Sequence, residues 1–434
     1  VQSRSITSSY LGRYRHVAEQ APDTEALLPL TGAQRRFVLA RRMRPTGRPD
    51  LVPLFFSFPA GAVDVARLHA AACHLAALHP ALRSRVEVRR GVPVQRLAAA
   101  EGLVRRLPVP PGRTAEDALR RALAGWSPDG PPLRLFLAAD GGPAGPRELL
   151  ALVLDHTVCD ERSLGRITAD LSLAYGEGLG PQDVPAPRAA GEAAAYGEAV
   201  RLQLAAEERA SAPGSLAYWA GRLSALRPPP APAGEPDAAG TGSAERRLPL
   251  PEGGARAVAF PAALDACAEA ARAVYGEAYV PALGYPWGGR PAGAGPVLGC
   301  FLNTVAHPAD GAGREARTAA WWDDLDHADA PFDEVVHAAR AAGVPWAGRL
   351  DGLLTFEDLD RRPPLRLGDA TGHETHLDGR PLPGPFAVTV SYGRDLLVRM
   401  DWQRTALPGD RAERAFARLV ATLSGSAGVR PDRP

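Results

Sequence analysis

Leu149-Leu150-Ala151-Leu152-Val153-Leu154-Asp155-His156-Thr157-Val158-Cys159-Asp160-Glu161-Arg162-Ser163 is the stretch on which the reading of the chain turns. The apolar run Leu149 to Leu154 predicts a buried strand. It breaks into a polar, charged turn, and helical spacing resumes at Leu164, with Ile167, Leu171 and Leu173 following. A histidine leaving a buried strand is held by a rigid element yet can face a cavity, as a general base must. Asp160 lies where a turn can fold its carboxylate back under the same loop. The same His-x-x-x-Asp spacing also suits a purely structural pair.

The surrounding composition narrows the alternatives. At 434 residues, with 45% hydrophobic content, the chain is long enough for two lobes with proper cores. It contains no apolar run of membrane-spanning length. The first residues, Val1-Gln2-Ser3-Arg4-Ser5, lack the apolar core of a signal peptide, so a cytoplasmic protein is expected. They also lack an initiator Met, as an excised segment would. The 50 basic residues nearly balance 49 acidic ones and are interspersed with them, which argues against a nucleic-acid surface. All the basic residues are arginine, which excludes a lysine Schiff base and a P-loop lysine. Cys73, Cys159, Cys267 and Cys300 show no paired spacing, so neither a zinc knuckle nor a disulfide framework follows. Cys159 reads as an apolar filler rather than a nucleophile.

Outward from the central stretch, motifs occur in a recognisable order. Residues 1–20 are polar and read as a surface segment. Leu30-Thr31-Gly32-Ala33-Gln34-Arg35-Arg36-Phe37 opens a helix, Leu51 to Phe58 reads as a strand, and Val63 to Leu78 as a helix. His79-Pro80-Ala81-Leu82-Arg83-Ser84-Arg85-Val86 hands a helix over to a strand. Ala115 to Ala124 is a further helix and Leu133 to Ala138 a strand. Beyond a Gly/Pro-rich boundary at 176–187 come Tyr196-Gly197-Glu198-Ala199, Tyr218-Trp219, Gly284-Tyr285-Pro286-Trp287-Gly288-Gly289-Arg290 and Gly299-Cys300-Phe301-Leu302-Asn303-Thr304. The acidic run Asp323 to Asp329 does not match a calcium loop and reads as the approach to a helix starting at Phe332. His373 and His376 read as solvated loop residues rather than metal ligands. Phe386 to Tyr392 and Leu396 to Trp402 form a closing hairpin, and Arg411 to Leu423 a terminal helix.

Taken together these segments resemble the condensation domains of nonribosomal peptide synthetases, within the chloramphenicol-acetyltransferase-like superfamily. The central stretch resembles their His-His-x-x-x-Asp-Gly signature, with His156 on the catalytic histidine and Asp160 on the aspartate. Asp155 replaces the first histidine and Glu161 the glycine. The resemblance spans nearly the whole chain, although Tyr218 and Gly299 lie closer together than the corresponding family motifs. The implied fold is α/β (an α+β sandwich): two chloramphenicol-acetyltransferase-like lobes in a V-shaped pseudo-dimer. The expected division is 1–180 for the first lobe, 181–215 for the connection and 216–434 for the second lobe. A floor loop is expected at about 299–308 and a crossover at about 378–386. A shortened segment is expected between Pro251 and Pro261.

The family implies an acyltransferase. Donor and acceptor peptidyl carrier proteins bring phosphopantetheine-tethered substrates to the histidine, and an amine or hydroxyl attacks the donor thioester. The domain binds no cofactor or metal of its own and is expected to be monomeric. His156 would act as the base and Asp160 as its catalytic partner, with Asp155, Glu161, Arg83, Arg85 and Ser163 supporting the loop. Gly299, Phe301, Asn303 and Thr304 would line the tunnel floor. A buried carboxylate needs a cation, and family position offers Arg83 or Arg85 to Asp160. Glu161 would call on an arginine such as Arg162 or Arg166. Backbone donors between Val158 and Ser163 are candidates for the oxyanion.

Other readings remain open. Asp155, Asp160 and Ser163 also reproduce a heterocyclisation-domain pattern. An acidic residue at 161 resembles the recruitment domain of glycopeptide synthetases, which docks tailoring monooxygenases and does no condensation. A free-standing coenzyme A-dependent acyltransferase is a third reading, for which no basic cluster is evident.

Overall fold

The structure, a computed structural model, describes residues 5–22, 27–43, 50–141, 145–229, 240–250 and 260–426. The chain forms two compact units. The first holds the residues up to Ala206 together with Gly288–Leu302 and Arg362–Leu377. The second holds Glu207–Trp287, Asn303–Arg361 and the residues from Asp378 onward.

The first unit begins with α1 (Ile6–Ala18), β1 (Leu27–Leu28), α2 (Gly32–Met43), β2 (Leu51–Pro59), α3 (Val65–Leu78), β3 (Ser84–Arg89), β4 (Val92–Leu97) and β5 (Leu103–Arg106). Then follow α4 (Ala115–Ala124), β6 (Leu133–Asp140), β7 (Arg147–Asp155), α5 (Glu161–Glu177) and α6 (Ala186–Ala210). The second unit supplies α7 (Pro213–Arg222), β8 (Thr241–Leu248), α8 (Phe260–Tyr275), β9 (Ala282–Trp287), β10 (Asn303–Pro308), α9 (Arg314–Asp326), α10 (Phe332–Ala341) and β11 (Gly352–Asp358). Short strands β12 (Arg366–Leu367), β13 (Ala370–Thr371) and β14 (His373–Thr375) belong to the first unit. The hairpin β15 (Phe386–Tyr392) and β16 (Leu396–Gln403) and the helix α11 (Gly409–Ser426) complete the second.

The five-stranded sheet of the first unit runs β14-β2-β7-β6-β5, with only β5 and β6 parallel. Its central strand β7 is buried on both faces, which is why its sequence is apolar without alternation. Leu150, Leu152 and Leu154 face the main core with Leu54, Phe56 and Leu135. Leu149, Ala151 and Val153 face a second layer built on Phe55, Phe136 and the α4 residues Leu119 and Leu123. Successive strand residues point to opposite faces, so one unbroken run serves two cores. Helix α4 carries a capping box between Thr114 and Asp117, and α5 stops where Gly178 takes the left-handed conformation, φ 71°.

The six-stranded sheet of the second unit runs β10-β9-β11-β15-β16-β8, with β11 parallel to both its neighbours. The hairpin of β15 and β16 alternates buried and intermediate positions over Leu396 to Gln403, and Val398, Met400 and Trp402 face the core.

Four expectations change. Residues 6–18 are not a loose surface segment: α1 buries Thr7, Tyr10, Leu11 and Val17, and Tyr10 donates to the carbonyl of Pro93 at 2.9 Å. Its apolar positions are too sparse to announce themselves among polar neighbours. The first unit continues past 180 to Ala206, because α6 buries Tyr196, Ala199, Val200 and Leu204 in its core. The second unit is not continuous over 216–434; Gly288–Leu302 and Arg362–Leu377 belong to the first. The segment that adds a strand to the first sheet is therefore 373–375, ahead of the expected crossover at 378–386. The expected shortening between Pro251 and Pro261 falls largely on residues outside those described. No helix among the described residues is long and apolar enough to cross a membrane.

Candidate active site

Strand β7 delivers His156 at its end. The His156 N–H donates to the carbonyl of Asp50 at 3.0 Å, just ahead of β2, and residues 156–158 make a single 3₁₀ turn. Asp155 caps that turn. Its Oδ1 accepts from the Thr157 N–H at 3.0 Å and the Thr157 hydroxyl at 2.7 Å, and its Oδ2 receives Arg41 at 2.8 Å. Asp155 therefore holds the loop, and these hydrogen bonds go to Thr157 and Arg41 rather than to the imidazole.

The His156 ring lies 4.5 Å from the Phe37 ring, tilted by 21°, a stacked pair. Its Nδ1 is 3.1 Å from the Cys159 carbonyl. A carbonyl can only accept, so Nδ1 carries the proton and Nε2 presents a lone pair. No hydrogen-bond partner for Nε2 occurs among the described residues. Burial holds the imidazole below the ordinary histidine pKa; the Cys159 bond and the Asp50 and Asp155 charges oppose this without cancelling it. Burial thus favours the neutral form of the ring. Cys159 is fully buried and its thiol is pushed well up by burial, which disposes of a thiolate nucleophile.

Asp160 is the N-cap of α5. Its Oδ1 accepts from the Ser163 N–H at 3.1 Å and the Ser163 hydroxyl at 2.8 Å. Arg290 reaches both carboxylate oxygens, at 2.9 and 3.1 Å, and the Phe301 N–H donates to Oδ2 at 3.2 Å. These bonds occupy the carboxylate, and none runs to His156. Asp160 meets an arginine, as expected of a buried carboxylate, and pins the start of α5 to residues 290–301. The Ser163 N–H, expected as an oxyanion donor, is taken by this cap, and the Thr157 N–H by Asp155.

The arginine expectations are corrected as well. Arg85 lies on β3 and faces Glu101 at 3.9 Å, while the Nε of Arg83 is buried with no hydrogen-bond partner. Arg83 ends the 3₁₀ turn just ahead of β3, and neither arginine is among the hydrogen-bond partners of the Asp160 carboxylate described above. Arg290 takes their place and also lays its guanidinium 4.9 Å from the Phe301 ring centre. Glu161 is held by Arg362, not by Arg162 or Arg166. Arg362 donates to Glu161 at 2.9 and 3.2 Å and to Glu374 at 2.8 Å. Arg166 bonds Glu192 and the Pro296 carbonyl instead. Arg362 also walls a half-open cavity of about 280 Å³ lined by Leu54, Phe56, Thr168, Pro363 and Gly372.

The floor quartet divides between the units. The Gly299 N–H bonds the Ser163 hydroxyl at 3.2 Å, so Gly299 and Phe301 belong with Asp160. Asn303 and Thr304 lie on β10 of the second unit. Asn303 donates to the carbonyls of Ala328 and Ala330 and accepts from the Phe332 N–H, fixing the start of α10.

No protein-family model matches the sequence, and no curated protein matches it. Solved structures do. The X-domain from teicoplanin biosynthesis aligns with a TM-score of 0.65 at 20% identity, over 95% of this chain and 97% of its own. The first condensation domain of the calcium-dependent antibiotic synthetase, in complex with a substrate analogue, gives 0.68 at 19% identity, over 93% and 96%. This chain has the condensation-domain fold. A structure described as the complex of the X-domain and OxyB from teicoplanin biosynthesis aligns at 0.64 and 18% identity, over 94% and 96%.

Within the condensation-domain fold, Gln34 and Arg290 stand inside motifs quoted from the sequence that do not assign them to the site, and Arg362 carries no motif at all. Gln34 had a legible signal. Thr31-x-x-Gln34 is a capping box: the Thr31 N–H bonds Gln34 Oε1 at 3.0 Å and the Gln34 N–H approaches Thr31 Oγ1 at 3.4 Å. The partners of Arg290 and Arg362 lie 130 and 201 residues away, beyond any local pattern.

Proposed function

We propose that this chain is a condensation enzyme of nonribosomal peptide synthesis. It joins a carrier-bound acyl or aminoacyl thioester to an amine or hydroxyl acceptor, with His156 as base. The observation that carries the reading is the Nδ1 bond from His156 to the Cys159 carbonyl, which leaves the neutral Nε2 free to take a proton. The acceptor nitrogen or oxygen attacks the thioester carbonyl carbon and gives its proton to Nε2. The tetrahedral intermediate then expels the thiol, which leaves with that proton. Atoms balance without a cofactor, and both substrates arrive on phosphopantetheine arms of carrier proteins. Tethering supplies much of the rate through proximity.

The test is single turnover with donor- and acceptor-loaded carrier proteins, followed by intact-protein mass spectrometry. H156A should abolish product while the protein stays folded by circular dichroism. Undiminished product from H156A would end the proposal.

One observation favours a second reading, that of a docking domain without condensation. Glu161 stands where the family signature has glycine, and it is bound to Arg362. The similar structures also include an X-domain in complex with OxyB. A chain inactive in the carrier assay that forms a stoichiometric complex with a tailoring monooxygenase would decide for that reading.

A further inference from the structure

Helix α2 touches the catalytic turn at three places. The Gln34 Nε2 donates to the Thr157 carbonyl at 2.7 Å, Phe37 stacks on the His156 ring, and Arg41 binds Asp155 at 2.8 Å. Positions 34, 37 and 41 follow i, i+3, i+7 spacing and so fall on one stripe of the helix. The turn they grip is short, with a carboxylate cap at one end and the histidine within it. We propose that this stripe of α2 is the positioning element of the site: Gln34 fixes the tautomer of His156 through the turn, and Phe37 governs how much water reaches the ring.

Gln34 is itself immobilised. It is 1% exposed, and its Oε1 accepts from the Thr31 N–H at 3.0 Å and from Gln95 Nε2 at 3.1 Å. Gln95 Oε1 in turn receives the Tyr196 hydroxyl at 2.7 Å and the Ser84 hydroxyl at 2.9 Å, and its Nε2 donates to the Pro29 carbonyl at 2.7 Å. Ser84 of β3 and Tyr196 of α6 thus fix Gln95 of β4, which in turn fixes the Gln34 amide that holds Thr157. Fixing that peptide keeps the Cys159 carbonyl within reach of Nδ1, and an imidazole whose Nδ1–H is spoken for must offer Nε2. Phe37 acts on the ring face. Its removal would let water solvate an imidazolium that burial now disfavours. The charged groups around the ring are Asp50 ahead of β2 and Asp155 at the end of β7, the latter neutralised by Arg41 of α2.

The inference deepens the condensation reading and depends on it only for the consequence on rate. Its test does not require turnover. The full chain, labelled with ¹⁵N-histidine, is titrated by long-range ¹H–¹⁵N NMR, with H156A identifying the His156 signals. Wild type should show the Nδ1–H tautomer and a depressed pKa. F37A should move the pKa up toward about 6.5, and F37Y, which keeps the ring, should restore the wild-type value. Q34L should give a mixture of both tautomers. If the full-length F37A and Q34L proteins are folded and retain the wild-type tautomer and titration, the proposal is overturned; F37L replaces F37A if the latter does not fold. In the carrier assay the same variants should lower kcat about 100-fold with KM little changed, the signature of a displaced group. An NMR response without any turnover by wild type would leave the positioning role standing and the condensation reading refuted.

Discussion

One guanidinium nitrogen of Arg290 lies 2.9 and 3.1 Å from the two carboxylate oxygens of Asp160, 130 residues earlier in the chain. Both side chains are buried, at 8% and 4% exposure. The aspartate of the signature is thereby a joint between the start of α5 and the 290–301 segment. R290A would strand a buried carboxylate and should cost roughly 3–5 kcal/mol in denaturant unfolding. R85A should cost about 0.5 kcal/mol, as a peripheral ion pair does. Equal losses in the two variants would contradict this assignment.

Glu161 and Arg362 form a pair that is buried at one end only, with Glu161 46% exposed. E161Q should therefore lower stability by no more than about 1 kcal/mol. Its effect should be local: amide hydrogen exchange across 362–377 should quicken, because Arg362 loses the charge of Glu161 that helps hold it. Unaltered exchange there would mean that Glu161 does not restrain the segment.

In the second unit, Asp324 and His307 are both fully buried, and Asp324 receives Arg222 at 2.9 Å, the Tyr218 hydroxyl at 2.7 Å and His307 at 3.1 Å. D324A leaves Arg222 without its counter-ion and should destabilise by about 3–5 kcal/mol. Urea titration followed by tryptophan fluorescence reads this directly, since Trp219 packs in the same core.

Burial depresses the pKa of both His156 and His307, the latter despite its bond to Asp324. The unfolded chain takes up protons near pH 6.5 while the folded rings resist. The stability they contribute is therefore complete above about pH 6.5 and is lost as the pH falls through that value toward the lower folded pKa values. Each ring contributes a slope of at most about 1.4 kcal/mol per pH unit. Unfolding free energies between pH 7.5 and 5.5 should fall less steeply in H156A than in wild type. Turnover should lose its base on the same acid side, below the ordinary histidine value.

Cys159, Cys267 and Cys300 are buried, and Cys73 is partly exposed. Burial raises the Cys159 and Cys267 thiols, the latter to about 12. A thiol reagent should find one fast cysteine in the native protein and the rest only on unfolding. Rapid labelling of Cys159 would show the turn at 156–160 to be open.

Local order was legible from residue spacing. The β7 run, the break at Asp155, the α4 span, the start of α10 at Phe332 and the β15–β16 hairpin all follow from the periodicities that backbone geometry imposes on side-chain direction. So did the candidate base, because a histidine closing a buried strand can be located by reading along the chain. Partners were another matter. Arg83 and Arg85 are the near arginines, yet Asp160 is met by Arg290; Glu161 is met by Arg362 rather than by Arg162 or Arg166. A carboxylate accepts any guanidinium brought to it, and with 50 arginines in the chain the residue type carries no address. Which one arrives depends on how segments 288–302 and 362–377 return to the first unit. Long-range chain return is set by the packing of whole cores, and no periodicity records it.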